Sequence, residues 1–302
     1  MADENKRYIK INKFSQNNYK DRADPTGDNG EFNKIKNYIP SPRKIETRKG
    51  VSEYSYSQPY DIIRDPDLLM HLKMDGGQAG FRDCEVQGDQ YMRVTAGGSI
   101  SPSTTHKVVG SSSLKLDYAN IPGAGLGLFY FKHNSTLPAT FPGQGGTDFI
   151  LGFWTRIEKQ CSGVYIMRHD NTGTIGGWGI SVHNNTPPLD VYAHITDCGT
   201  GRNQLSSKQL VLNQWYHIGL WSSTALDKFG IVIYSQTDND TTDDTKSGYH
   251  LDGVASTSGH FWCGMDRKNA LTYTDDLILL DAVPATEAAI LAKITLMRAR
   301  GL

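Results

Sequence analysis

The sequence predicts an all-β protein built around a two-sheet antiparallel sandwich. Short runs of alternating apolar and polar residues recur from about residue 66 to the C-terminus, and Gly-, Asn- and Ser-rich turns separate them. Large aromatic side chains also concentrate in this part of the chain, which holds all five tryptophans (Trp154, Trp178, Trp215, Trp221 and Trp262). This pattern is typical of a large core between two sheets.

Composition excludes several classes of protein. The 302 residues carry 31 basic and 32 acidic side chains, and this balance argues against a nucleic-acid coat, which needs an excess of cations. Hydrophobic residues make up 38% of the chain, which is enough for a sizeable core. No apolar run approaches the roughly 18 residues of a membrane span. We therefore expect no nucleic-acid partner and no membrane segment.

Residues 1–65 are predicted to form an extended N-terminal arm. Residues 1–50 contain 12 basic and 7 acidic residues, a net charge of +5, so the remaining residues carry −6. Turn signals such as Pro40-Ser41-Pro42 interrupt the segment, and its polar composition cannot bury enough apolar surface to fold alone.

Spaced apolar and aromatic residues in this arm predict a docking peptide. The proposed anchors are Tyr8, Ile11, Phe14, Tyr19, Phe32, Ile35, Tyr38, Tyr54, Tyr56 and Tyr60. A flexible linker with scattered aromatics is the alternative. A nucleic-acid-binding arm is disfavoured because the basic residues form no block of like charge.

Residues 66–302 are predicted to form the sandwich and one C-terminal helix. Alternation predicts strands at residues 68–74, 113–118, 149–157, 179–183, 189–195, 215–221, 230–234, 260–263 and 276–280. For the helix, Thr286 and Glu287 suit the N-terminal end, and Gly301 suits termination. Its apolar stripe is Ile290, Leu291, Ile294 and Met297, which we expect to pack on the sandwich or on a partner.

The four cysteines do not predict a disulfide framework. Cys84, Cys161, Cys198 and Cys263 are widely spread and form no C-x-x-C pair, so we expect free buried thiols rather than a zinc site.

Five motifs in order resemble a known family. They lie at residues 69–76, with an Asp-Gly turn, and at 110–116, 148–154, 213–218 and 273–279, and the turn at 284–287 follows them. Over about residues 66–292 the chain resembles a laminin-G-like domain of the concanavalin A-like lectin/glucanase superfamily. The resemblance implies a two-sheet jelly roll. Members of the superfamily bind glycans, proteins or Ca²⁺, and some hydrolyse glycosides, so the resemblance does not settle an activity.

The sequence does not predict an enzyme. The glucanase relatives use a Glu-x-Asp-x-x-Glu strand, which this sequence lacks, and Glu158 is isolated in the sequence. Carbohydrate binding is predicted instead at Trp178, His183, Tyr192 and His194, which are close in the sequence and are expected to share one sheet face; the alternative is that Trp178 and Tyr192 belong to the core.

No cofactor is predicted, except for a candidate Ca²⁺ site. Asp238, Asp240 and Asp243 crowd one loop and offer hard oxygen ligands, but the loop lacks the ordered spacing of an EF-hand, which favours the alternative of a solvated acidic hairpin tip. A metal cluster of His169, His183 and His194 is a weaker alternative.

Context predicts a virion protein. The N-terminus lacks the apolar region of a secretory signal, whereas laminin-G-like domains work outside cells. A protein made in the host cytoplasm and released by lysis reconciles these observations. We therefore expect a bacteriophage capsid decoration or cement protein, homo-oligomeric, whose arm binds the major capsid protein or another virion subunit. The alternatives are a tail or appendage adhesin that binds host-surface carbohydrate, and a carbohydrate-binding module or glycan-active enzyme.

Overall fold

The computed structural model describes residues 62–75, 90–95, 99–117, 128–133, 141–143, 145–159, 164–169, 177–183, 187–197, 201–251, 253, 260–263 and 270–302. They belong to one unit that begins at Ile62 and ends at Leu302. The predicted anchors from Tyr8 to Tyr60 lie outside the described residues, so the docking arm stays a prediction.

The described residues form fifteen strands and one α-helix. The strands are β1 (Leu68–Leu72), β2 (Gln90–Thr95), β3 (Ser99–Ser103), β4 (Ser113–Asp117), β5 (Leu128–His133), β6 (Phe149–Lys159), β7 (Val164–His169), β8 (Trp178–His183), β9 (Leu189–Asp197), β10 (Gly201–Leu210), β11 (Trp215–Ser223), β12 (Lys228–Ser235), β13 (Asp240–Ser247), β14 (His260–Cys263) and β15 (Leu271–Leu280). The helix is α1 (Glu287–Ala299). Within these ranges, no helix is long and apolar enough to cross a membrane.

The strands form two antiparallel sheets. One has eight strands in the order β13-β12-β11-β6-β15-β4-β3, with β1 also paired to β15, and the other has seven in the order β10-β9-β8-β7-β14-β5-β2. One apolar cluster joins the inner faces, for example Phe153 and Leu220 from the eight-stranded sheet with Ile180 and Val191 from the other. The predicted all-β antiparallel sandwich is confirmed.

Helix α1 covers the outer face of the eight-stranded sheet. The Thr286 hydroxyl caps it by accepting a hydrogen bond from the Ala289 N–H at 3.3 Å, as the sequence predicts. Ile290, Ile294 and Met297 are buried in a second apolar cluster with strand residues that include Trp221. The predicted stripe therefore packs on the sandwich.

Two glycines make the groove in which α1 lies. Gly152 of β6 and Gly219 of β11 are paired neighbours on this face. A Cβ atom on Gly152 would lie 2.6 Å from the Met297 sulfur, and one on Gly219 would lie 2.7 Å from Cγ2 of Ile294. Because a Cβ atom at either position would force the helix side chain to shift, the small residues allow the helix to pack directly on the strands.

Residues 62–65 pack against the sandwich, although the sequence analysis assigned them to the arm. A short 3₁₀ turn at Ile62–Arg64 precedes β1, and Ile62 is buried in the cluster beneath α1. Asp65 is also buried, where its carboxylate meets the Lys293 ammonium at 2.7 Å. The sandwich therefore begins a few residues earlier than predicted.

Candidate functional site

Strand alternation separates the four predicted carbohydrate-binding residues onto opposite faces of the seven-stranded sheet. On β8, Trp178 lies on the same face as Ile180 and Val182, which belong to the inter-sheet core. His183 lies on the other face, and its neighbours there are Tyr192 and His194 of β9.

The prediction that Trp178 stacks on a sugar is wrong. Its side chain is 2% exposed and packs against Phe149 and Phe261, at ring-centroid distances of 5.2 and 5.6 Å. Its indole N–H donates to the carbonyl oxygen of Pro142 at 3.0 Å. The core alternative therefore holds for Trp178, because its position in the alternation directs it inward.

The other three residues form a continuous group with Ser181, which we call the β8–β9 ledge (Ser181, His183, Tyr192 and His194). The rings of His183 and Tyr192 meet edge to face at 4.7 Å, and those of Tyr192 and His194 are stacked at 6.3 Å. His183 and Tyr192 are half-buried, whereas Ser181 and His194 are each 2% exposed. A ligand therefore meets His183 and Tyr192 first.

Ser181 fixes both imidazoles of the ledge. Its hydroxyl lies 3.2 Å from Nε2 of His183 and also bonds Nε2 of His194. A hydroxyl has one proton, so it donates to at most one imidazole, and at least one imidazole donates its Nε2–H to the hydroxyl oxygen. The two histidines are consequently oriented before any ligand binds.

A carboxylate lies at the edge of the ledge. Asp190 is paired with His183 across β8 and β9, and its Oδ1 accepts a hydrogen bond from the Gln209 amide at 2.6 Å. Sequence reasoning missed Asp190 and Ser181. Each lies two positions before a predicted site residue, Tyr192 or His183, and this spacing places it on the same face of its strand. The ledge thus presents an aromatic ring and an imidazole beside a carboxylate.

The structure does not bring the three candidate calcium ligands together. Asp238 accepts a hydrogen bond from the Ser235 hydroxyl at 2.7 Å, and Asp240 pairs with Lys208 at 2.8 Å, which lowers the pKa of Asp240. Asp243 lies three residues further along β13 and therefore on the opposite face from Asp240. Among the described residues, no three metal-ligating side chains converge.

The predicted loop around these aspartates is also different. From Asp240 onward it is strand β13, at the edge of the eight-stranded sheet. His169, from the weaker metal hypothesis, is buried beside Phe141 in the core, on the opposite face from the ledge.

Glu158 is not isolated in the fold. Its Oε1 accepts hydrogen bonds from Arg156 at 3.1 Å and lies 3.3 Å from Nε2 of His106, and its Oε2 accepts from the Tyr273 hydroxyl at 3.3 Å. Burial and the neighbouring Glu158 carboxylate raise the pKa of Tyr273 to about 12. Because this network joins β6, β15 and the segment before β4, we interpret Glu158 as a structural residue.

A buried polar group lies at the C-terminal end of α1. Oδ1 of Asp276 meets Nε2 of His71 at 2.7 Å, and Oδ2 accepts from Nε of Arg300 at 2.8 Å. Burial raises the pKa of Asp276, but the hydrogen bonds from His71 and Arg300 outweigh it and leave that pKa below its ordinary value. This arrangement ties β1, β15 and the end of the helix together.

Its neighbours Asp275 and His217 titrate differently. Burial raises the pKa of Asp275 to about 7, although its Oδ2 accepts the backbone N–H groups of Val108 and Val109 at 2.8 and 3.0 Å. Burial lowers the pKa of His217 to about 3. Both side chains are enclosed, so we assign them to the fold rather than to a ligand site.

Comparisons with known proteins establish the fold alone. No protein-family model and no curated protein matches the chain. Among solved structures, the binding domain of botulinum neurotoxin DC in complex with SialylT is similar with a TM-score of 0.52 and 11% identity, over 78% of this chain and 52% of that chain. The same kind of domain in complex with rat synaptotagmin II gives a TM-score of 0.51 and 13% identity, again over 78% and 52%.

This chain therefore spans about half the length of the neurotoxin binding domains that it resembles. At these identities the shared feature is the β-sandwich, and a fold does not determine a function. The resemblance to laminin-G-like domains stays a prediction.

Proposed function

We propose that this protein is a non-enzymatic binding protein whose sandwich recognises carbohydrate through the β8–β9 ledge. The observation that carries the proposal is the half-buried pair of His183 and Tyr192 rings, whose centroids lie 4.7 Å apart on the outer face of the seven-stranded sheet. A tyrosine ring offers an apolar surface to the C–H face of a sugar, and its hydroxyl remains available for hydrogen bonding.

The surroundings of the pair suit this role. The hydrogen bonds with Ser181 hold the two imidazoles in place, so little side-chain freedom is lost when a ligand binds. The Asp190 carboxylate beside His183 supplies acceptors for sugar hydroxyls. The neurotoxin domains that share the fold are binding domains, and one was solved with SialylT, which supports the choice of a binding role.

A glycan array tests this proposal. We expect the wild-type protein to bind at least one class of glycan and Tyr192→Ala to bind it about tenfold more weakly, which corresponds to roughly 1.4 kcal/mol of lost stacking. Tyr249→Ala is the matched control, because Tyr249 is also half-buried but lies against Lys246, with the ammonium 4.4 Å from its ring. An array without any bound glycan, or equal binding by the Tyr192→Ala and wild-type proteins, contradicts the proposal.

The proposed setting is a virion. The positively charged N-terminal segment, with its spaced aromatics, attaches the protein to another virion subunit such as the major capsid protein, and the sandwich is displayed. The protein then acts as a homo-oligomeric capsid decoration protein or as an adhesin of a tail or appendage, and the glycan lies on the host surface.

Deletion of residues 1–60 tests the attachment. The core of the sandwich begins at Ile62, so we expect the truncated protein to remain folded and to be missing from assembled particles. Full-length protein supplied to the same particles is the control. Normal incorporation of the truncated protein refutes the arm-docking hypothesis, and turnover of any polysaccharide by the pure protein refutes the non-enzymatic assignment.

A further inference from the structure

We propose that Lys293 and Asp65 join through an amide bond between their side chains, so that helix α1 is covalently linked to the beginning of the sandwich. Nζ of Lys293 lies 2.7 Å from Oδ2 of Asp65. The Asp65 side chain has no exposed surface, and that of Lys293 is 18% exposed. The inference concerns a modification and does not depend on what the ledge binds.

Buried apolar residues flank both members of this pair in the chain. Ile62 and Leu68 lie on either side of Asp65 in the chain, and Ile290 and Ile294 flank Lys293 on the helix; all four belong to one buried cluster. An ion pair is costly in such a place, because each charge loses its water. An amide removes both charges, so the desolvation that disfavours the ion pair favours the condensed product.

Other lysine–carboxylate pairs of the described chain lack this enclosure. Lys228 meets Glu287 at 2.9 Å, but that carboxylate side chain is 32% exposed. Lys208 meets Asp240 at 2.8 Å, and the Asp240 side chain is 61% exposed. Both of those carboxylates are in contact with water, as in ordinary surface salt bridges.

Asp67 supplies the two further groups that amide formation requires. Its carboxylate oxygen Oδ2 lies 3.3 Å from the same Lys293 nitrogen. Its backbone N–H donates to Oδ1 of Asp65 at 3.0 Å, and its own carbonyl oxygen accepts the Asp281 N–H at 3.0 Å. The N–H therefore stabilises the negative charge that develops on Oδ1 when the carboxyl carbon is attacked.

The reaction needs no further reagent. The Lys293 ammonium transfers one proton to Oδ2 of Asp65, which leaves a neutral amine beside a neutral carboxylic acid. The amine nitrogen attacks the Asp65 carboxyl carbon, a C–N bond forms, and Oδ1 carries the transient negative charge. Asp67 takes a second proton from the nitrogen and passes it to the departing Oδ2.

The C–O bond to Oδ2 then breaks, and this oxygen leaves with both protons as one water molecule. The third proton stays on the amide nitrogen, and Asp67 is ionised again. Because the reacting groups are already held in place, the step has the large rate advantage of an intramolecular reaction.

Mass spectrometry of the intact, denatured full-length protein tests the bond. We expect the wild-type protein to be lighter than its sequence by the mass of one water molecule, and a protease digest to contain a branched peptide that joins the Asp65 and Lys293 segments. Lys293→Arg is the matched control, because arginine keeps a cation opposite Asp65 but does not form the amide; its full sequence mass is expected.

Loss of water by another route is excluded at this position. A cyclic imide of Asp65 would need the nitrogen of the next residue, and Pro66 has no N–H. Asp67→Asn keeps the backbone N–H but removes the proton carrier, so we expect a larger fraction of this variant at the full sequence mass.

Two results overturn the inference. One is folded wild-type protein, verified by cooperative thermal unfolding, that keeps its full sequence mass after prolonged incubation at neutral pH. The other is a loss of water that persists in Lys293→Arg or that maps to other residues.

Discussion

Replacing Asp275 with asparagine tests whether a buried carboxyl group of this fold keeps its proton near neutral pH. Burial raises the pKa of Asp275 from 3.8 to about 7. Between these values the folded protein holds a proton that the unfolded chain has released. The stability that this group contributes is therefore fully present below its ordinary pKa and is lost as the pH rises through about 7.

The size of the effect follows from the two pKa values. Linkage gives a loss of about 3 kcal/mol in the free energy of unfolding of the wild-type protein between about pH 5 and about pH 8. The amide that Asp275→Asn introduces does not titrate, so this loss is absent from the variant. We expect the stability difference, variant minus wild type, to rise by that amount over this range.

Urea unfolding followed by tryptophan fluorescence at the two pH values measures the difference. The asparagine oxygen still accepts the Val108 and Val109 N–H groups, but its amide nitrogen replaces Oδ1, which is buried and has no hydrogen-bond partner among the described residues. The buried amide nitrogen lowers the free energy of unfolding of the variant by about 1–3 kcal/mol at every pH. This constant cost does not affect how the stability difference changes with pH.

Asp240→Asn is the control. The Lys208 ammonium holds the pKa of Asp240 below its ordinary value, so Asp240 is ionised in both states at both pH values. The stability difference between Asp240→Asn and the wild-type protein should therefore be the same at both pH values. If the difference for Asp275→Asn is constant as well, Asp275 is already ionised in the folded protein at about pH 5, and the reasoning from burial is refuted.

Three further predictions concern the outer face of the eight-stranded sheet. Because burial lowers the pKa of His217 to about 3, the wild-type protein loses stability as the pH falls below 6.5, and we expect His217→Leu to remove about 3 kcal/mol of that loss between about pH 7.5 and about pH 4.5 in urea unfolding. Gly219→Ala places a Cβ atom 2.7 Å from the Ile294 side chain, so we expect a loss of about 1–3 kcal/mol in thermal unfolding, and a loss in the double variant with Ile294→Ala that is smaller than the sum of the two single losses. Thr286→Ala removes the cap of helix α1 and should cost about 1 kcal/mol by urea unfolding, whereas Thr295→Ala at an exposed position should cost less.

Each of these has a contrary result. An unchanged pH profile for His217→Leu means that this imidazole gains a proton in the folded protein. If the stability loss of the double variant equals the sum of the losses for Gly219→Ala and Ile294→Ala, the two residues do not contact each other. Equal losses for Thr286→Ala and Thr295→Ala mean that the Thr286 hydroxyl does not stabilise the helix as a cap.

The predicted strands show where sequence reasoning succeeds. Segments such as β9 and β11 alternate clearly or are apolar throughout, because a strand between two neighbours buries at least one face. The helix was also predicted correctly, because the cap at Thr286 and the apolar stripe of Ile290, Ile294 and Met297 are recognised from residues close together in the sequence.

The edge strands show where it fails. Strand β13 reads DTTDDTKS, and its residues are exposed or half-buried, so the sequence has no apolar period. It is a strand because β12 pairs with it along its whole length. That pairing is a tertiary contact, and it overrides a weak intrinsic preference.

The β8–β9 ledge could be predicted from the sequence only in part. Trp178 and His183 are an odd number of positions apart on β8, so the sequence already places them on opposite faces of the strand. Which of the two faces packs on the core depends on the neighbouring sheet. Only the fold shows that Trp178 is enclosed by Phe149 and Phe261.

The sequence alone was sufficient for the class of fold, for several of the buried strands and for the C-terminal helix, but not for the interior strands β5 and β7. These features depend on residues within a few positions of each other, where periodicity and capping act. The tertiary structure alone decided the Ser181 link between two imidazoles, the burial of Asp275 and the meeting of Lys293 with Asp65. Groups that are distant along the chain share a site because the sheets and the helix bring them together, and no local pattern records such distances.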